Sequence, residues 1–121
     1  QWNEARRRIA GKYDSILSKS PVTIPHIDGN NTSVYHQYTI LAPQRDDLQK
    51  FLGENDVGSA IFYPKPLHLQ QCFEDLGYKQ GDMPVTEDLC GKVLSLPVYP
   101  ELTDEQIERV GNSILRFYGS D

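Results

Sequence analysis

Phe62-Tyr63-Pro64-Lys65-Pro66-Leu67-His68-Leu69-Gln70 is the stretch around which the rest of this chain is organised. It closes an apolar run, Ser59 to Tyr63, whose β-branched and aromatic content is that of a buried strand. Pro64 and Pro66 then fix two backbone φ angles and withdraw two N–H donors, so neither a strand nor a helix can cross them. Beyond them Leu69, Cys72, Phe73 and Leu76 recur at helical spacing, which predicts a helix over 67–76 stopped by Gly77. His68 thus stands where a stiff loop delivers the chain to a helix start, a place suited to a side chain that has to be aimed.

Working outward, the segments on either side fall into an alternating pattern. Ser33 to Leu41 reads as the clearest strand, with Val34, His36, Tyr38 and Ile40 on one face and Tyr35, Gln37, Thr39 and Leu41 on the other. His36 therefore shares a face with large apolar groups, and on pattern alone a core-edge histidine satisfied by one hydrogen bond is the simpler reading. Lys92 to Val98 is apolar enough on both faces to be a central strand. With Ser59 to Tyr63 this makes three strands.

Four helices separate and flank them. Trp2, Ile9, Tyr13 and Ile16-Leu17 define an amphipathic helix ending before Pro21, and its Arg6-Arg7-Arg8 run reads as a solvated face. Pro43 opens a short helix over 44–53 with Leu48, Phe51 and Leu52 inward, Asp46 and Asp47 favourably placed in the first turn and Arg45 exposed. The third is 67–76. The fourth begins at Thr103-Asp104-Glu105-Gln106, a capping box, and carries Ile107, Val110, Ile114 and Phe117 inward before Gly119. Pro21 to Thr32 reads as a loop with His26 exposed, and Gly81 to Leu89 as a turn-rich connection in which Thr86-Glu87-Asp88 resembles one helical turn. The expected class is α/β, more strictly α+β: one domain over 1–121, a small three-stranded sheet with helices packed on it.

Composition narrows the function. A formal charge of −5, from 12 basic and 17 acidic side chains, speaks against nucleic-acid or anionic-membrane binding. No apolar run is long enough to span a bilayer and no signal-peptide pattern opens the chain, so a soluble cytoplasmic protein is expected. Cys72 and Cys90 make neither a disulfide framework nor a metal-ligand spacing, and no metal is expected. Phosphate loops, nucleophile elbows and paired catalytic carboxylates are missing from the sequence. What remains is a set of polar and aromatic groups on strand ends and loops: Tyr35, His36, Tyr38, Tyr63, His68 and Glu87. Such groups orient ligands, and they do not make a self-sufficient catalytic centre. The residues read as half of a site.

Taken together, several of these stretches carry a resemblance. Tyr35-His36-Gln37-Tyr38-Thr39-Ile40, Arg45-Asp46 with Leu48 and Leu52, and Tyr63-Pro64-Lys65-Pro66-Leu67-His68-Leu69-Gln70 keep their order, followed by Leu76-Gly77-Tyr78 and Gly81-Asp82 with Pro84 and Glu87. Val93 to Thr103 completes the set. In these motifs the chain resembles the C-terminal part of the sugar aminotransferases of the DegT/DnrJ/StrS family. The resemblance covers nearly the whole chain, and residues 1–20 look like the helix that enters that family's small domain. It implies the C-terminal small domain of an aspartate-aminotransferase-like enzyme that uses pyridoxal phosphate to move an amino group, usually from glutamate, onto a keto group of a nucleotide-linked sugar. It further implies a homodimer and a larger domain, outside this sequence, that holds the cofactor and the Schiff-base lysine. None of Lys12, Lys19, Lys50, Lys65, Lys79 and Lys92 stands in that lysine's context.

By position in the family motifs, His36 is the first candidate for reaching the substrate, because a neutral imidazole can both donate to and accept from a sugar hydroxyl. His68 is the second and Tyr38 the third; Tyr38, Arg45 and Glu87 are also suited to fixing the loops around them. The competing expectation is a self-contained ferredoxin-like binding module with structural histidines. A domain that normally packs on a larger one should expose an apolar patch, expected here around Trp2 and Ile9.

Overall fold

The computed structural model describes residues 1–119. Its elements are α1 (Trp2–Leu17), β1 (Tyr38–Leu41), α2 (Arg45–Glu54), two 3-10 turns (Leu67–Leu69 and Gln71–Leu76), α3 (Pro84–Cys90), β2 (Val93–Leu96) and α4 (Asp104–Phe117).

The sheet has two strands rather than the three expected, with β1 and β2 antiparallel and Tyr38 opposite Leu96, Thr39 opposite Ser95, Ile40 opposite Leu94 and Leu41 opposite Val93. Thr39 and Ser95 face each other with their hydroxyls 2.7 Å apart, sharing a hydrogen bond across the ladder. The Ser59–Tyr63 segment does reach the far side of β2, but only Ala60 pairs, exchanging both backbone hydrogen bonds with Ser95. After it the chain turns away toward Pro64, which has no N–H to continue a ladder. On the other side Thr23 pairs with Leu41 in the same single-residue way. Both strands therefore have backbone partners on two sides, and the central placement of Lys92–Val98 is retained in β2. β1 is also shorter than expected. Tyr35 adopts φ 45°, which breaks the extended backbone, so Val34 and His36 do not continue the buried face of Tyr38 and Ile40.

The core lies between this ladder and the helices. α1 contributes Ile9, Ala10, Tyr13 and Leu17; α2 contributes Leu48 and Leu52; α4 contributes Ile107, Val110 and Ile114. The helical period puts each set on one stripe, which is why burial of that stripe holds these short helices. α4 starts at the expected capping box: the Gln106 N–H donates to Thr103 Oγ1 (3.3 Å) and the Thr103 N–H to Gln106 Oε1 (2.9 Å). α1 and α4 approach closely because position 111 is glycine; a Cβ there would lie 2.6 Å from Ile16 Cγ2. Asp104, at the start of α4, accepts from Arg8 Nη1 (2.7 Å) and from Lys12 of α1. Phe51, expected inward, is only partly buried and stacks against Phe117.

Three expectations are corrected. Arg45 is buried rather than exposed: Nη1 donates to the carbonyls of Val93 (2.8 Å) and Cys90 (3.0 Å), and Nε to Asp46 (2.6 Å). Those carbonyls mark the turn from α3 into β2, and five N–H donors on one planar group satisfy them as no local backbone does. Second, the helix over 67–76 is two 3-10 turns split at an extended Gln70, with no buried residue in either. Among the described residues its apolar stripe stays largely exposed, and a ten-residue helix without a packed face is marginal. Gly77 does end it, at φ 75°. Third, Ile9 is in the core, so it belongs to no surface patch with the exposed Trp2. Exposed apolar side chains are concentrated instead between Phe62 and Leu89, including Tyr63, Leu67, Leu76 and Val85. No helix among the described residues is long and apolar enough to cross a membrane.

Candidate functional site

The residues picked out from the sequence occupy three separate environments. His36 and Gln37 are exposed just before β1 and form one wall of an open cleft of about 540 Å³. The floor is the β2 end, Ser95 to Val98, and the opposite wall is Gly58 to Phe62 as that segment meets β2 at Ala60. The cleft combines an imidazole, a primary amide and an aromatic ring over an apolar floor. That combination can orient a hydroxylated ligand by donors and acceptors on one side and stacking on the other. It holds no nucleophile–base pair. Gln37, Phe62 and Ser95 were not singled out from the sequence as ligand-side groups; they come together only through the Ala60–Ser95 pairing, which no local pattern encodes.

Tyr38 is not at this cleft. It has no exposed surface, and its hydroxyl donates to Asp14 Oδ1, tying β1 to α1. Tyr13, stacked beside it, donates to the carbonyl of Pro97 (2.9 Å). Burial pushes both hydroxyls well above the usual tyrosine range, reinforced for Tyr38 by the Asp14 carboxylate, so both remain donors. They brace the ladder behind the cleft; Tyr38 has no surface from which to touch a ligand.

His68 stands in a third place. Its Nε2 lies 3.0 Å from Glu87 Oε1, between the proline-stiffened loop and α3. Glu87 also accepts from the N–H of Gly81 at 2.9 and 3.0 Å and from the N–H of Met83 at 3.3 Å. Burial works to raise the Glu87 carboxyl, but the hydrogen bonds from His68, Gly81 and Met83 outweigh it and hold the group below its ordinary value. The ring of Tyr78 meets His68 edge-on, and with Leu67, Phe73, Leu76 and Met83 these residues line an apolar pocket of about 320 Å³. The sequence-based suggestion that Arg45 and Glu87 fix the loops around them agrees with these bonds.

The family model described as the DegT/DnrJ/EryC1/StrS aminotransferase family matches residues 1–115. The chain belongs to this family. It is 44% identical over 122 residues to a pleiotropic regulatory protein of Geobacillus stearothermophilus, covering 98% of this chain and 32% of that protein. To the UDP-N-acetyl-3-dehydro-alpha-D-glucosamine 3-aminotransferase of Acidithiobacillus ferrooxidans it is 39% identical over 115 residues, covering 95% of this chain and 31% of the enzyme. Among solved structures, a DegT DnrJ EryC1 StrS aminotransferase from Brucella abortus superposes with a TM-score of 0.88 at 36% identity, covering 98% of this chain and 31% of that one. The chain thus spans about a third of the length of the relatives it matches.

The family implies pyridoxal phosphate, and the residues here can be tested against it. A lysine that bonds the cofactor needs a desolvated setting. All six lysines are exposed or half-exposed; Lys12 and Lys92 are engaged by Asp104 and Asp88, and no lysine lines the cleft. The described residues do not make a site for the covalent attachment of this cofactor.

Proposed function

We propose that this chain is the small domain of a pyridoxal-phosphate-dependent sugar aminotransferase, closing over an active site whose cofactor is held elsewhere in the polypeptide. The reaction moves an amino group from glutamate to a keto group of a nucleotide-linked sugar. The observation that carries this reading is the His36–Gln37 cleft: a hydrogen-bonding and stacking surface lined by no nucleophile–base pair and no lysine, in a chain of an aminotransferase family. Pyridoxal phosphate, when bound, supplies the electron sink for amino-group transfer. This chain's part is to bind and orient. His36 offers one donor and one acceptor to a sugar hydroxyl, Phe62 covers an apolar face, and the ladder braced by Tyr13 and Tyr38 holds both in place. His68 forms a second contact region toward the sugar or nucleotide. The assembly is proposed to be a homodimer in the cytoplasm. A self-contained binding module would have to form its site alone; membership of the aminotransferase family and the open, one-sided cleft speak against that alternative.

The test is the cofactor's absorbance, followed during glutamate addition to the full-length polypeptide and to the 121-residue chain. A glutamate-driven change is expected in the full-length protein alone. Cofactor binding by the isolated chain would overturn the half-site reading.

A further inference from the structure

We infer that Glu87 is a positioning residue that sets the tautomer of His68 and thereby the polarity of the His68 pocket. The proposal rests on the reading of His68 as a ligand-side group. Glu87 is an ionised carboxylate already accepting from the N–H groups of Gly81 and Met83, so it has only acceptors to offer His68 Nε2, 3.0 Å away. The ring must therefore carry its proton on Nε2, and in the neutral imidazole Nδ1 is left as a bare acceptor. Rotation of the carboxylate is blocked by the backbone bonds, which pin both oxygens: Gly81 N–H reaches Oε1 and Oε2. On the opposite side the histidine backbone is held inside the 3-10 turn Leu67–Leu69, directly after Pro66.

The consequence is chemical selectivity. A pocket walled by Leu67, Phe73, Leu76, Tyr78 and Met83, with a bare imidazole nitrogen and a carboxylate behind it, suits a neutral group that donates a hydrogen bond. A sugar hydroxyl or the ring N–H of a base meets that description. With the ring neutral a phosphate does not, since it would bring acceptors to an acceptor and a negative charge toward Glu87. In the nucleotide-sugar reading, the His68 pocket therefore receives the sugar or base end and leaves the diphosphate to another surface.

The tautomer is directly readable from ring ¹⁵N shifts in the full-length polypeptide labelled with ¹⁵N-histidine, with His68→Gln used to assign the signal. In the neutral ring, wild type is expected to show His68 protonated at Nε2 and bare at Nδ1. Glu87→Gln should retain that tautomer, because the amide oxygen can take the place of Oε1, whereas Glu87→Ala should give a mixture of both. A purely structural Glu87 would disturb the Gly81 and Met83 amides in Glu87→Ala and leave the His68 tautomer as in wild type, and that outcome overturns the proposal. So does a wild-type ring protonated at Nδ1. Neither result depends on aminotransferase activity, so failure of the activity reading and failure of this inference are separately visible.

Discussion

Gly111 stands against Ile16 with no room for a Cβ: the added atom would lie 2.6 Å from Ile16 Cγ2 and 3.2 Å from its Cβ. Both Ile16 atoms are at the root of a stiff β-branched side chain, so the neighbour cannot swing aside cheaply. Gly111→Ala should therefore destabilise the chain by about 1–3 kcal/mol, in the range of overpacked cores, despite the better helix propensity of alanine. Urea unfolding checks it, and the loss should shrink in an Ile16→Ala background because the two sites touch.

Arg45 makes the other close tie, from α2 to the α3–β2 turn. Replacing it with Met keeps much of the volume but leaves the carbonyls of Cys90 and Val93 without the donors they have now. A cost of about 2–3 kcal/mol is expected, at the level of removing hydrogen bonds to a charged group. Arg45→Lys should recover only part, since an ammonium cannot span both carbonyls and Asp46 as the planar guanidinium does. Denaturant midpoints of the two variants make the comparison.

Acid should weaken the fold through Asp104 and Glu87. The hydrogen bonds from Lys12 and Arg8 hold the Asp104 carboxyl below its ordinary value, and Glu87 is likewise held down by His68, Gly81 and Met83 against its burial. A folded-state value below the unfolded one gives stability that is fully present above the unfolded pKa and lost as pH falls through the folded one. The loss should begin near pH 4, roughly the ordinary carboxylate range, and deepen below it. Asp104 is exposed, so added salt should blunt its part. Unfolding midpoints at neutral and acid pH should converge for Asp104→Asn and wild type as the pH falls; parallel curves would remove Asp104 from the account.

How much of this was legible depends on whether the physics was local. The α4 capping box, the Ile9, Tyr13 and Leu17 stripe of α1 and the apolar run that became β2 are encoded within a few residues of themselves and stand where the pattern puts them, whereas β1 keeps only the Tyr38–Leu41 end of its expected span. The stretch from Leu67 to Leu76 has the same helical spacing, yet forms only 3-10 turns, and its stripe is not buried among the described residues. Arg45 was invisible as a buried group because its partners are 45 and 48 residues away. The same distance problem hides the site: His36 meets Phe62 and Ser95 through one backbone pairing, and His68 meets Glu87 across 19 residues. Family motifs pointed to His36 and His68; only the fold shows that they line different pockets and that Tyr38 lines neither.

The most direct measurement of the central claim is the split between the two half-reactions in full-length His36→Ala. If the cleft orients the sugar, kcat/KM for the keto sugar should fall by roughly tenfold or more, about 1.4 kcal/mol or above for a lost site hydrogen bond. The half-reaction with glutamate, the proposed amino donor, read by the cofactor's absorbance, should keep its wild-type rate. Equal rates in both half-reactions for variant and wild type would contradict the account and leave His36 a solvent-facing side chain at the edge of β1.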